Sequence, residues 1–117
     1  MRRRVLIVDD HTGYRALARE LLESEGLEVV GEANDGDSAV AATLELRPDL
    51  VLLDVHLPGL DGFEVAERLA GLRDAPAVVL ISSRRMDELA DRLGTASAAG
   101  FIAKHELSAA AITSLVG

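Results

Sequence analysis

Leu50, Val51, Leu52 and Leu53 form an unbroken apolar row that ends on one carboxylate, Asp54, and meets Pro58-Gly59 four residues later. No polar residue alternates with them. Such a row suits a strand covered on both faces, as in the parallel sheet of an α/β fold. Sheets of that kind carry their ligand sites at the carboxyl ends of the strands. Pro58 and Gly59 turn the chain before a helix can begin, so Asp54 is expected at the strand's rim, open to solvent. Taken alone, an aspartate in this position reads as a turn cap. Other parts of the chain decide against that.

Three further apolar runs end on residues able to do chemistry. Val5-Leu6-Ile7-Val8 stops at Asp9-Asp10, Ala77-Val78-Val79-Leu80-Ile81 at Ser82-Ser83, and Phe101-Ile102-Ala103 at Lys104. Val29-Val30 is a brief additional strand. Between the strands the apolar period becomes helical. Tyr14, Leu17, Ala18, Leu21 and Leu22 predict a helix over 12–25 that Gly26 stops. Ala39, Val40, Ala42, Thr43 and Leu46 follow the Asn34-Asp35-Gly36-Asp37 turn and precede Pro48. Phe63, Val65, Ala66, Leu69 and Leu72 mark a third helix after Asp61-Gly62, and Pro76 separates it from the next strand. A fourth helix over 86–93 runs into a small-residue stretch at 94–100 and is expected to fray. A short apolar helix from Ser108 carries Ile112, Leu115 and Val116.

Strand and helix thus alternate as five βα units, which predicts an α/β fold with one parallel sheet, helices on both faces and right-handed crossovers. Every strand then ends on the same edge. Asp9, Asp10, Asp54, Ser82 and Lys104, far apart in sequence, meet there. Three carboxylates are able to hold a hard divalent cation, and an ammonium pairs with phosphoryl oxygens. No G-x-G-x-x-G follows the first strand, which disfavours a dinucleotide. His11, His56 and His105 lack metal-ligand spacing and read as loop residues.

Composition narrows the function. With 117 residues and no cysteine, a single domain over 1–117 without thiolate chemistry is expected, and the cytoplasm is its default location. Arg2-Arg3-Arg4 precedes too short an apolar run for a signal peptide, and no run approaches a membrane span. A formal charge of −8 and 3% aromatic residues disfavour direct nucleic-acid binding by this domain.

The motifs Val8-Asp9-Asp10, Pro48-Asp49-Leu50-Val51-Leu52-Leu53-Asp54, Leu57-Pro58-Gly59-Leu60-Asp61-Gly62, Ile81-Ser82 and Gly100-Phe101-Ile102-Ala103-Lys104 resemble those of receiver domains in two-component response regulators. The resemblance covers essentially the whole chain. It implies a flavodoxin-like doubly wound sheet of order 2-1-3-4-5. It further implies that Asp54 accepts a phosphoryl group from a histidine kinase, a phosphotransfer protein or a small phosphodonor. Mg²⁺, for which Mn²⁺ substitutes, would be held by Asp10, Asp54 and the His56 backbone carbonyl, with Asp9 acting through water. Lys104 would pair with the acyl phosphate. Ser82 and Phe101 would form a switch that alters the face made by the fourth helix, fifth strand and last helix, and that face would support a phosphorylation-dependent homodimer. Asp9-Asp10-His11 and Val29-Val30-Gly31-Glu32-Ala33 resemble the subfamily with a helix-turn-helix output domain, which regulates transcription and is expected to lie outside this chain.

The resemblance has departures. His105 stands where many members have proline, so a trans bond is expected after Lys104. Ser97 stands where glycine often ends the fourth helix, and Phe101 lacks the hydroxyl of the tyrosine many members carry, so a switch here works by packing. A dehalogenase-like phosphatase would need a second aspartate where His56 stands, and a receiver-like module that never carries phosphate would not need Asp9, Asp10, Ser82 and Lys104 together. The expectation is a phosphoacceptor signalling domain with self-catalysed phosphorylation and dephosphorylation, not an enzyme.

Overall fold

β1 (Arg4–Val8) lies between β2 (Glu28–Ala33) and β3 (Leu50–Asp54), and β4 (Ala77–Ser82) and β5 (Gly100–Ala103) extend the sheet beyond β3. All pairs are parallel and the order is 2-1-3-4-5, as expected of a doubly wound sheet. The computed structural model describes residues 2–83 and 96–117. The helix expected over 86–93 lies outside them.

β1 and β3 are central, which is why their runs do not alternate: Val5 to Val8 and Leu50 to Leu53 are all fully buried. On one face, Leu6, Val8, Val51, Leu53, Val78 and Leu80 pack against α2 (Gly36–Leu46) and α3 (Gly62–Ala70). On the other, Val5, Ile7, Leu50, Leu52, Val79 and Ile81 pack against α1 (Thr12–Ser24) and the C-terminal helix (Ala109–Val116).

Three helices begin on side-chain caps. Asp35 and Ser38 cap α2 reciprocally, Asp61 accepts from the Glu64 amide at 3.0 Å, and Ser108 accepts from the Ala111 amide at 3.0 Å. α1 has no such cap; His11, at its N-cap position, gives its amide to Asp9 instead. Its start is set by the acid pair.

The elements differ from expectation in four places. Leu17 is 62% exposed, because the inward line of α1 runs through Ala18 and Leu22, and one residue back turns Leu17 away. β2 is six residues long, not two: as an edge strand it tolerates Glu28, Gly31 and Glu32, which hide its pattern, and Val30 forms a bulge between the Val5 and Leu6 partners. α3 stops at Ala70 with Gly71 as its cap, short of Leu72. Ser97, where glycine often stands, does not take the left-handed conformation that serine tolerates poorly, and its hydroxyl donates to Glu67 Oε1 at 2.6 Å. The bond after Lys104 is trans, as expected.

Candidate functional site

Asp9 and Asp54 do meet at the carboxyl edge of the sheet, but Asp54 is not open to solvent as the turn chemistry predicted, and Asp9 is buried with it. Asp9 is fully buried and Asp54 is 2% exposed. The Lys104 side chain, itself 11% exposed, closes over them. Its ammonium stands 2.5 Å from Asp9 Oδ2 and 3.3 Å from Asp54 Oδ2. Asp54 Oδ1 accepts from the His56 amide at 3.1 Å. Burial pushes the Asp54 carboxyl above its usual range; the His56 amide opposes this, the Asp9 charge reinforces it, and Lys104 opposes it.

The turn after β3 follows from its sequence. Gly59 has φ +78°, the conformation that glycine after proline adopts in a tight turn. The chain then returns so closely that the Gly62 amide donates to Val55 O at 2.7 Å, and a Cβ on Gly62 would lie 2.3 Å from Asp54 O. Only glycine fits there.

Asp10, by contrast, is exposed, and with Asp9, His11 and Asp54 it offers ligand atoms that all lie within 4.8 Å of one another. Asp9 Oδ2 is buried with the Lys104 ammonium as its ion-pair partner. A set of three clustered carboxylates, with one cation between two of them, suits a hard cation such as Mg²⁺. The residues present fit that ion.

Ser82 is fully buried at the end of β4 and pairs with Ala103, while Leu80 pairs with Phe101. Alternation therefore places Ser82 and Phe101 diagonally on the sheet face covered by α2 and α3, where Phe101 packs half-buried. His105 is exposed in the 3₁₀ turn Lys104–Glu106, away from the acids.

Three residues at the site escaped the sequence reading. His11, taken only as a loop residue, has Nδ1 3.1 Å from both Asp9 Oδ1 and Asp10 Oδ1. Arg15 donates to Asp9 O at 2.6 Å and to Glu32 Oε1 at 3.0 Å, locking α1 to β1 and β2. Tyr14, read as one of the apolar positions of α1, has its ring centroid 4.6 Å from Lys104 Nζ, and its hydroxyl donates to Lys104 O at 3.2 Å. Burial, followed by the charges of Asp9 and Asp54, raises the Tyr14 phenol well above its usual range, so it stays a donor. The available signal was their place: all three fall within six residues of Asp9, where α1 must start beside the acids.

The described residues include no helix long and apolar enough to cross a membrane. The pattern of the response regulator receiver domain matches residues 5–116. The transcriptional regulatory protein PdtaR of Mycobacterium tuberculosis (strain H37Rv) is 42% identical over 102 residues, 87% of this chain and 49% of PdtaR. The signal receiver domain of NarL from Mycobacterium tuberculosis superposes with a TM-score of 0.87 at 32% identity, covering 99% of this chain and 98% of that one. A two-component response regulator of the LuxR family from Aurantimonas sp. SI85-9A1 gives a TM-score of 0.88 at 30% identity, covering 100% and 87%. The chain spans about half the length of the curated relatives it matches. With one acidic edge, one sheet order and one sequence pattern agreeing over nearly its whole length, this chain belongs to the receiver domain family of response regulators.

Proposed function

We propose that Asp54 accepts a phosphoryl group from a histidine kinase, a phosphotransfer protein or a small donor such as acetyl phosphate. The observation that carries this reading is the placement of one ammonium, Lys104, against both buried carboxylates, 2.5 Å from Asp9 and 3.3 Å from Asp54. An Asp54 oxygen attacks phosphorus in line; the bond from phosphorus to the donor's oxygen or nitrogen breaks, and the donor leaves with that electron pair. Asp54 becomes an acyl phosphate. Lys104 keeps its proton and turns from Asp54 to a phosphoryl oxygen, a charge-assisted contact. The protein's part is positioning and charge compensation, as in phosphoryl transfer generally.

Asp10, Asp54 and the His56 carbonyl would hold Mg²⁺, with Asp9 joined through water. The bound ion supplies positive charge that offsets the clustered carboxylates and the incoming phosphoryl oxygens. Mn²⁺, with similar ligand preference, would substitute.

The conformational consequence belongs to Ser82 and Phe101. A hydroxyl drawn toward the phosphoryl group leaves space beside Phe101 on the same sheet face, and Phe101 turns into it by packing alone. This shifts a pre-existing equilibrium of the face to which β5 and the C-terminal helix contribute. Through that face phosphorylated copies associate as a homodimer and a longer protein couples phosphorylation to transcription, a reading supported by the half-length match to transcriptional regulators. The phosphoacceptor works in the cytoplasm with neither membrane nor nucleic acid as its own partner, and catalyses only its own phosphorylation and dephosphorylation. Intact-mass measurement after acetyl phosphate and Mg²⁺ tests the core of this. The wild-type chain gains one phosphoryl group and Asp54→Asn gains none; equal gain on both defeats the assignment.

A further inference from the structure

Lys104 is the only lysine of the chain and Tyr14 its only tyrosine, and the two are in contact at both ends of the lysine. The charged end lies over the ring, 4.6 Å from its centroid, within the reach of a cation–π attraction. The backbone end is held by the tyrosine hydroxyl, which donates to Lys104 O at 3.2 Å. Tyr14 sits in the first turn of α1, the helix whose start is set by Asp9 through the His11 amide and by Arg15 on Asp9 O. One aromatic side chain thus ties the element carrying the acid pair to the element carrying the ammonium.

We propose that Tyr14 is a positioning residue for phosphoryl binding: its ring and hydroxyl hold Lys104 with its ammonium aimed at Asp54, so that the cation is already placed when the phosphoryl group arrives. This rests on the phosphoacceptor reading of Asp54 and adds a residue to it. A lysine carries several rotatable bonds, and an unheld ammonium must be ordered each time it is used. Lys104 has a choice of two carboxylates, and Asp9 is the nearer. Asp54 Oδ2 accepts from the ammonium at 3.3 Å and the ring lies beneath it, and the two together oppose its settling on Asp9 alone. The ring does not touch the reacting atoms; it acts through the lysine.

The wild-type chain, Tyr14→Phe, Tyr14→Leu, Lys104→Ala and the double variant Tyr14→Leu/Lys104→Ala are titrated with beryllofluoride in the presence of Mg²⁺ by calorimetry. Tyr14→Leu is expected to bind beryllofluoride about five- to tenfold more weakly, the size of a partly desolvated cation–π contact. Tyr14→Phe, which keeps the ring and loses only the hydroxyl's hold on Lys104 O, is expected to weaken binding less than Tyr14→Leu does. In the Lys104→Ala background the leucine substitution is expected to change affinity by less than about twofold, because a residue acting through Lys104 has nothing left to act on. A purely structural Tyr14 would weaken both backgrounds alike, which overturns the proposal, as does a Tyr14→Leu chain that binds like wild type. A second measurement needs no variant of Tyr14. With no tryptophan present, tyrosine emission comes from this residue alone. Emission should shift on adding beryllofluoride and Mg²⁺ to wild type and stay fixed in Lys104→Ala; unchanged emission in a wild type that binds overturns the inference. A wild-type chain that binds no beryllofluoride overturns the phosphoacceptor reading first, and this inference with it.

Discussion

Lys104 Nζ stands 2.5 Å from Asp9 Oδ2 and 3.3 Å from Asp54 Oδ2, so a single cation balances two carboxylates that are almost wholly buried. Removing one partner of a buried ion pair leaves charge without compensation. Lys104→Ala is therefore expected to lower stability by on the order of 3 kcal/mol in metal-free buffer. Mg²⁺ should restore part of the loss by taking over the neutralisation. Urea unfolding with and without Mg²⁺ checks this, and equal losses in both buffers would contradict it. The variant should still take up phosphate, while its phosphate-induced chemical shifts shrink.

Asp54 has a carboxyl that burial raises, so its linkage runs opposite to that of a salt-bridged surface acid. The fold prefers the neutral form. This contribution is fully present below the unfolded value of about 4 and is lost as pH rises through the higher folded value. Asp54→Asn, uncharged throughout, should be more stable than wild type near neutral pH in metal-free buffer, with the gap closing on acidification toward about pH 4. Thermal melts across that range measure it. A gap that widened on acidification would mean that His56 and Lys104 outweigh burial.

Asp10 is the exposed member of the acid cluster, the one a cation reaches first. Asp10→Asn should weaken Mg²⁺ binding by at least about tenfold, a loss already typical when only an outer-sphere partner is removed. Calorimetric titration reads this directly. Unchanged affinity would place the ion elsewhere.

Gly62 and Gly13 form a matched pair. A Cβ at Gly62 would meet the Asp54 and Val55 backbone at 2.3 and 2.7 Å, whereas one at Gly13 meets nothing within 4 Å. Gly62→Ala should cost about 2–3 kcal/mol, since backbone cannot move aside as a side chain does. Gly13→Ala should add up to about 1 kcal/mol by lowering the entropy of the unfolded chain. Chemical denaturation of both variants tests whether close approach or helix preference governs each glycine.

The central strands were legible because β1 and β3 are buried on both faces and their runs admit no polar residue. β2 was legible only at Val29 and Val30, because an edge strand may be polar wherever it faces water. The convergence of Asp9, Asp54 and Lys104 followed from the alternation of strands and helices alone. Their burial did not: Lys104 reaches back over the acids with the Tyr14 ring of another element beneath it, and no local pattern encodes that contact. Arg15 is hidden for the same reason, since its partner Glu32 lies on β2, whereas His11 sits beside the acids in sequence and only the turn of its ring toward them is not encoded.

The sheet's two open edges are unlike its centre. β2 sets Glu28, Gly31 and Glu32 along its length, and β5 is only four residues long. A bulged β2 edge bearing Glu28 and a short β5 give an incoming strand little to pair with. Two copies of this domain would therefore not join by continuing one sheet into the next. Any symmetric pair must be made through helices and loops. On the phosphoacceptor reading proposed above, an assembly built that way would come apart when the phosphoryl group leaves, whereas a shared sheet would outlast it.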